Sequence, residues 1–131
     1  MPPAAVQGSQ VVGTDIHIVM VPTPGGPVPV PLPHVFSGAV NADTVATVKI
    51  GGQPAAVVGT RAANQPAHLP MPPGVSFQQP PSNSGSVFIG SATVKIGGKA
   101  AARAGDPVTT CNDPADLPAG SLVAAGTVMI G

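Results

Sequence analysis

Ala46-Thr47-Val48-Lys49-Ile50-Gly51-Gly52-Gln53-Pro54-Ala55-Ala56 recurs 46 positions further on as Ala92-Thr93-Val94-Lys95-Ile96-Gly97-Gly98-Lys99-Ala100-Ala101-Ala102. Each copy alternates with period two, placing Val48 and Ile50 on one face and Thr47 and Lys49 on the other, as a half-buried strand requires. Shorter echoes stand at Ser86-Val87-Phe88-Ile89-Gly90 and Thr127-Val128-Met129-Ile130-Gly131. The glycine after each isoleucine suits a tight turn, where a Cβ would be penalised. A strand-and-turn unit used repeatedly predicts an all-β body whose Val and Ile pairs (48/50, 94/96, 87/89 and 128/130) point into one narrow core around a common axis.

Between the strands lie proline-dense stretches, Pro22 to Pro33 and Pro66 to Pro81. Fixed φ and missing N–H groups exclude helix and central strand there, so these predict extended surface coil. No segment carries a helical period with caps; Asn41 to Val45 and Ala55 to Val58 have room for one helical turn each.

The chain has 131 residues, the length of one domain with a modest core, and a core of that size benefits from a staple. Its 18 prolines and 17 glycines suggest low complexity, but 43% hydrophobic residues, 8% charged residues and zero net charge oppose disorder. Five basic residues against five acidic ones, with 2% aromatics, argue against nucleic acid as a partner. No apolar run is long enough for a stable membrane anchor, and Met1-Pro2-Pro3-Ala4 opens no basic signal region, so synthesis and assembly are expected in the cytoplasm. The single cysteine, Cys111, excludes an internal disulfide.

The soft-metal ligands of the chain are His17, His34, His68 and Cys111. Three imidazoles and one thiolate make a closed tetrahedral zinc set with a structural role, because no position stays open for a reactive water. Their scatter along the chain matches no local zinc knuckle, and a few histidines with one cysteine also arise by chance in a chain of this length. His34 in Leu32-Pro33-His34 and His68 in His68-Leu69-Pro70 sit among prolines, which limits the freedom lost on ligation. Asp15, two residues before His17, would share its face in a strand and support it. A Ser37–His34–Asp43 triad lacks a nucleophile elbow, and Cys111 as a reactive thiol has no better surroundings. Gly51-Gly52 and Gly97-Gly98 open no phosphate-binding helix. Catalysis is not expected.

The Val-x-Ile-Gly-Gly strand followed by Pro54-Ala55-Ala56-Val57 and Gly59, and its second copy followed by Ala100-Ala101-Ala102-Arg103 with Gly105-Asp106, resembles the PAAR-repeat family. The likeness runs from Asp15-Ile16-His17 through His34 and His68 to Thr110-Cys111. It implies a small conical zinc-stapled domain over residues 1–131, without N- or C-terminal extension, that caps the trimeric β-helical spike of a type VI secretion system or a related contractile injection apparatus. The implied metal ligands are His17, His34, His68 and Cys111 around one structural zinc ion. The expected role is a membrane-puncturing spike tip, one per trimer, carried outside or into the target cell on sheath contraction. An adaptor that loads non-covalent effector cargo is the alternative, and a small metallohydrolase a further rival. Phe88 and Met129, where the other copies carry Lys49 and Lys95, are the expected apolar docking positions.

Overall fold

The computed structural model describes residues 2–131. Its strands are β1 (Gln10–Val21), β2 (Val28–Ala42), β3 (Val45–Ile50), β4 (Gln53–Ala55), β5 (Arg61–Asn64), β6 (Ser76–Phe77), β7 (Ser84–Val87), β8 (Lys95–Ile96), β9 (Lys99–Ala100), β10 (Pro107–Thr110) and β11 (Leu117–Val123). No helix occurs among the described residues, and so none is long and apolar enough to cross a membrane.

Six strands close into an antiparallel barrel in the order β1, β2, β5, β7, β10, β11, and β11 returns to β1 from Gln10↔Val123 to Gly13↔Gly120. Closure pairs the strand edges at the seam and leaves the part of β2 before Gly38 without a strand on its β5 side. Along β1 and β2 alternate residues are buried, Val11, Asp15, His17 and Val19 on one and His34, Phe36 and Val40 on the other.

The barrel is built on three equivalent turns, Val6-Gln7-Gly8-Ser9, Val57-Val58-Gly59-Thr60 and Arg103-Ala104-Gly105-Asp106. In each, the last side chain accepts a hydrogen bond from the first N–H: Ser9 Oγ from Val6 at 3.0 Å, Thr60 Oγ1 from Val57 at 2.9 Å, Asp106 Oδ2 from Arg103 at 2.7 Å. Each third residue is a glycine at φ of 93°, 94° or 86°, the left-handed region that other residues rarely enter. The turns launch β1, β5 and β10. The alanines before them close a ring: the Ala5 N–H donates to the Ala102 carbonyl, Ala102 to Ala56, and Ala56 to Ala5, each at 3.0 Å. All three alanines are buried, as three backbones meeting at one axis demand.

The first member of this set, Pro3-Ala4-Ala5-Val6, is a copy that the two long repeats do not reveal, since no Val-x-Ile strand precedes it in sequence. The other end of the chain supplies that strand. Pro3 bridges Met129, the Ala4 N–H donates to the Val128 carbonyl at 2.9 Å, and the Ile130 N–H donates to Pro2 at 2.9 Å. In the third unit the Ala101 N–H likewise donates to Val94 at 3.0 Å.

Several expectations need correction. The Val and Ile pairs do not share the barrel core. The long repeats form hairpins β3–β4 and β8–β9 outside it, each turned by two positive-φ glycines, Gly51-Gly52 and Gly97-Gly98, as two-residue hairpin loops favour. Their isoleucines Ile50 and Ile96, with Val94, instead join Ile130, Ala4 and Ala101 in a second small cluster, while Val48 and Val128 stay largely exposed. The echo at Ser86–Gly90 is no hairpin: Val87 ends β7 facing the barrel core, and Ile89 is exposed. Asn41–Val45 and Ala55–Val58 are not helical but lie in strand ends and turns.

The stretch Pro22 to Pro33 becomes strand from Val28 onward, despite Pro29, Pro31 and Pro33. These alternate, standing opposite Met20, Ile18 and Ile16 of β1. All three fall at the ladder positions that need no donor toward β1, and β5 pairs only with Gly38–Ala42 of β2, so their missing N–H groups face an unpaired edge. Pro66 to Pro81 is coil apart from β6, which pairs with Val19 and Met20 of β1.

Inside the barrel, Val11, Ala62 and Val108 pack with Val40, Val87 and Leu122 above the alanine ring. Next come Gly38, Gly85 and Gly120, each two residues from a core side chain of the same strand. A Cβ on Gly38 would lie 1.9 Å from the Ala63 carbonyl oxygen, and one on Gly120 2.9 Å from Thr110 Cγ2. The strands come this close only without side chains. Past this constriction stands the buried Phe36 of β2, and beyond it the interior turns polar.

Candidate metal centre

Asp15, His17, His68 and Cys111 are buried, and one ligand atom from each lies within 4.8 Å of the others. β1 supplies Asp15 and His17 from one face, Cys111 follows directly on β10, and His68 stands in the coil after β5. That coil is fixed by Asn83, whose Oδ1 accepts the His68 N–H at 2.7 Å from a residue at φ 57°, a conformation asparagine tolerates.

The sequence-derived set is therefore brought to one place, with an internal difference. His17, His68 and Cys111 share the cluster with Asp15, whereas the His34 ring stands alongside, its centroid 5.4 Å from that of His17 and 5.6 Å from that of His68. The His34 Nδ1–H donates to the Leu32 carbonyl at 2.9 Å, which leaves Nε2 with the lone pair, and Nε2 accepts the Met71 N–H at 3.2 Å. Phe77 packs on His17 and His34, and Phe36 on His68, so the polar group is enclosed by aromatic rings.

Asp15 is fully buried. Its carboxylate meets His68 Nε2 at 2.9 Å, Cys111 Sγ at 3.5 Å, the Asn112 amide at 3.4 Å and the Thr110 hydroxyl. A buried carboxylate costs several kcal/mol unless paired, and these neighbours supply that pairing. Burial, then the charge of His68, lowers the His17 pKa, and burial lowers that of His34, so both imidazoles favour the neutral form that binds metals. Burial, then the Asp15 charge, pushes the Cys111 thiol up to about 11.

The donor geometry suits zinc. Zinc bonds of about 2.3 Å to sulfur and about 2.0 Å to nitrogen, at the tetrahedral angle, separate the two ligand atoms by about 3.5 Å. Cys111 Sγ and His17 Nε2 stand 3.6 Å apart. The other nitrogen of that ring, Nδ1, is buried without a hydrogen-bond partner. The cluster can hold a metal ion and is consistent with zinc.

Asn112 and Asp113 hold Cys111 against β1. Asn112 Oδ1 accepts the Ile16 N–H at 2.6 Å, Asp113 Oδ2 accepts the Ile18 N–H at 2.8 Å, and the Asp113 N–H donates to the Ile16 carbonyl at 2.8 Å. Side chains thus stand in for a strand where β11 has left β1 and β6 has not begun. Neither these two residues nor Thr110 and Asn83 were legible as site residues, because their roles depend on strands distant in sequence; only Asp15 announced itself, by its spacing from His17.

No curated protein matches the chain. Residues 78–131, from the approach to β7 through the segment that bridges Pro3, match the family model described as PAAR motif. The match supports a type VI secretion spike-tip-like protein in general, and chain and fold together are consistent with a PAAR-repeat protein, of a family that generally caps the spike of a secretion system.

Proposed function

We propose that this chain is a structural tip that completes a trimeric β-helical spike, one copy per trimer, and that it performs no catalysis. The observation that carries the reading is the ring of three alanine hydrogen bonds with its three equivalent turns. A single chain with internal threefold repetition can meet three identical subunits in the same way at each. The ring side offers short strands and exposed apolar side chains, Val48 in the β3–β4 hairpin and Val128 and Met129 in the C-terminal segment that bridges Pro3, for strand continuation and hydrophobic contact. Phe88 is exposed just past the end of β7, whereas Met129 bridges Pro3 next to the alanine ring, so Met129 is the better docking residue.

The metal centre lies at the opposite end of the barrel core from the ring, where it ties β1, β2, the coil after β5 and the end of β10 together. One structural zinc held by His17, His34, His68 and Cys111 stiffens that end, with His34 Nε2 exchanging the Met71 N–H for the metal. When bound, the ion supplies cross-linking and no reactive water. The protein is made in the cytoplasm and leaves on the spike when the sheath contracts, to part the target envelope; any effector it carries binds non-covalently. Native mass spectrometry of the chain co-expressed with a trimeric spike protein of its own apparatus tests the role. A 1:3 complex, weakened by Met129→Asp at unchanged zinc content, is expected; a stable homotrimer of the chain alone, or no complex, overturns it.

A further inference from the structure

His17 presents its two nitrogens to different surroundings. Nε2 faces Cys111 Sγ within the ligand cluster, and Nδ1 faces away, buried and without a hydrogen-bond partner. The atom opposite Nδ1 is Asp113 Oδ2 at 3.6 Å, just beyond hydrogen-bond reach, with both side chains buried. Asp113 is held there by its bonds to Ile16 and Ile18, the residues flanking His17 on β1, so carboxylate and ring are referenced to the same strand. A cleft of about 170 Å³, lined in part by His17, Cys111, Asp113 and Asp116, opens beside them.

An imidazole that gives Nε2 to a metal keeps its proton on Nδ1, and that N–H needs an acceptor once buried. We infer that Asp113 is the positioning residue of the metal centre: its carboxylate accepts the His17 Nδ1–H, fixes the tautomer that leaves Nε2 free for the ion, and orients the ring toward Cys111. The inference rests on the zinc reading above. His34 is treated in parallel, with the Leu32 carbonyl in place of a carboxylate. The two histidines thus receive different acceptors, and the charged one serves the ring nearest the thiol.

Asp113→Asn separates positioning from scaffolding, because the amide oxygen can still accept the Ile18 N–H but the residue no longer offers His17 a carboxylate. Zinc affinity of the full chain, measured by chelator competition, should fall about 10- to 100-fold in Asp113→Asn. In long-range proton–nitrogen spectra of the zinc-loaded protein, a protonated Nδ1 on His17 should be seen in the wild type and should shift or vanish in Asp113→Asn. Asn112→Ala, which removes the Ile16 clamp and the amide's contacts to Asp15 and Thr110 but leaves the Asp113 carboxylate beside His17, should lower the melting temperature yet keep the His17 signal. Equal affinities and an unmoved His17 signal in Asp113→Asn overturn the positioning role while leaving the zinc site standing. Loss of the His17 signal in Asn112→Ala as well overturns it in favour of scaffolding. A wild-type chain that takes up no zinc overturns the metal reading and this role with it.

Discussion

The pH dependence of zinc binding follows from one buried thiol. Burial and Asp15 hold the Cys111 thiol at about 11, against an ordinary value of 9.0, so near neutral pH the metal-free centre carries it protonated. His17 and His34, with lowered values, are already neutral there and have no proton to give up. Zinc binds the thiolate, so uptake must expel the Cys111 proton, and affinity rises with pH by one proton's worth. Between pH 7 and pH 9 that amounts to about a hundredfold, or about 2.7 kcal/mol. Without metal the sign is reversed. A raised folded-state value means that the neutral thiol contributes stability below pH 9.0 and that this contribution is lost as pH climbs through about 11. The assay is chelator competition across pH 7 to 9, corrected for the chelator's own protonation, alongside thermal melts of the metal-free chain. Cys111→Ser should abolish most of the affinity and the slope with it. A flat affinity profile in the wild type, or an undiminished slope in the serine variant, would show that Cys111 does not surrender a proton to the metal.

Gly38→Ala is expected to destabilise the barrel by about 2–3 kcal/mol, because β5 must retreat well over an ångström to admit the new methyl; the melting temperature should fall by about 6–9 °C, while Gly25→Ala, whose Cβ meets only Thr23 Oγ1 at 3.9 Å, leaves it nearly unchanged. Ile130→Ala should cost about 2–4 kcal/mol as the most buried isoleucine of the ring-side cluster, with half-buried Ile50 and Ile96 costing less and exposed Lys95→Ala within about half a kcal/mol in urea titrations; equal losses at Ile130 and Lys95 would contradict the packing described.

What could be read before the fold was seen follows the range of the forces involved. The Ile-Gly-Gly turns are local, and Gly51-Gly52 and Gly97-Gly98 adopt the dihedral angles their sequence suggests. The four scattered candidate ligands were legible by residue chemistry, and three of them meet in one cluster with Asp15 that could hold a metal ion. The inward face of the repeats was misplaced because period two reports only that one face is covered; Val48 shows that a hairpin outside the barrel obeys the same alternation with little burial. The prolines of β2 misled for a related reason. Whether a missing donor matters depends on which neighbour stands beside the strand, and β5 is remote in sequence. The first turn unit escaped notice because its partner strand is the last segment of the chain.

The alanine ring also constrains how the molecule comes into being. Its three links join residues 5, 56 and 102, so a growing polypeptide cannot close it until residue 102 has been synthesised. The barrel seam joins Gln10–Gly13 to Gly120–Val123, and Cys111 reaches its cluster only with the same late segment. Both ends of the barrel core therefore wait for the final unit, and contacts of such high sequence separation make for slow folding. Until then β1 and β2 present unpaired backbone, and the alternating prolines of β2 remove donors from one margin of that hairpin, which blunts that edge against pairing with another chain.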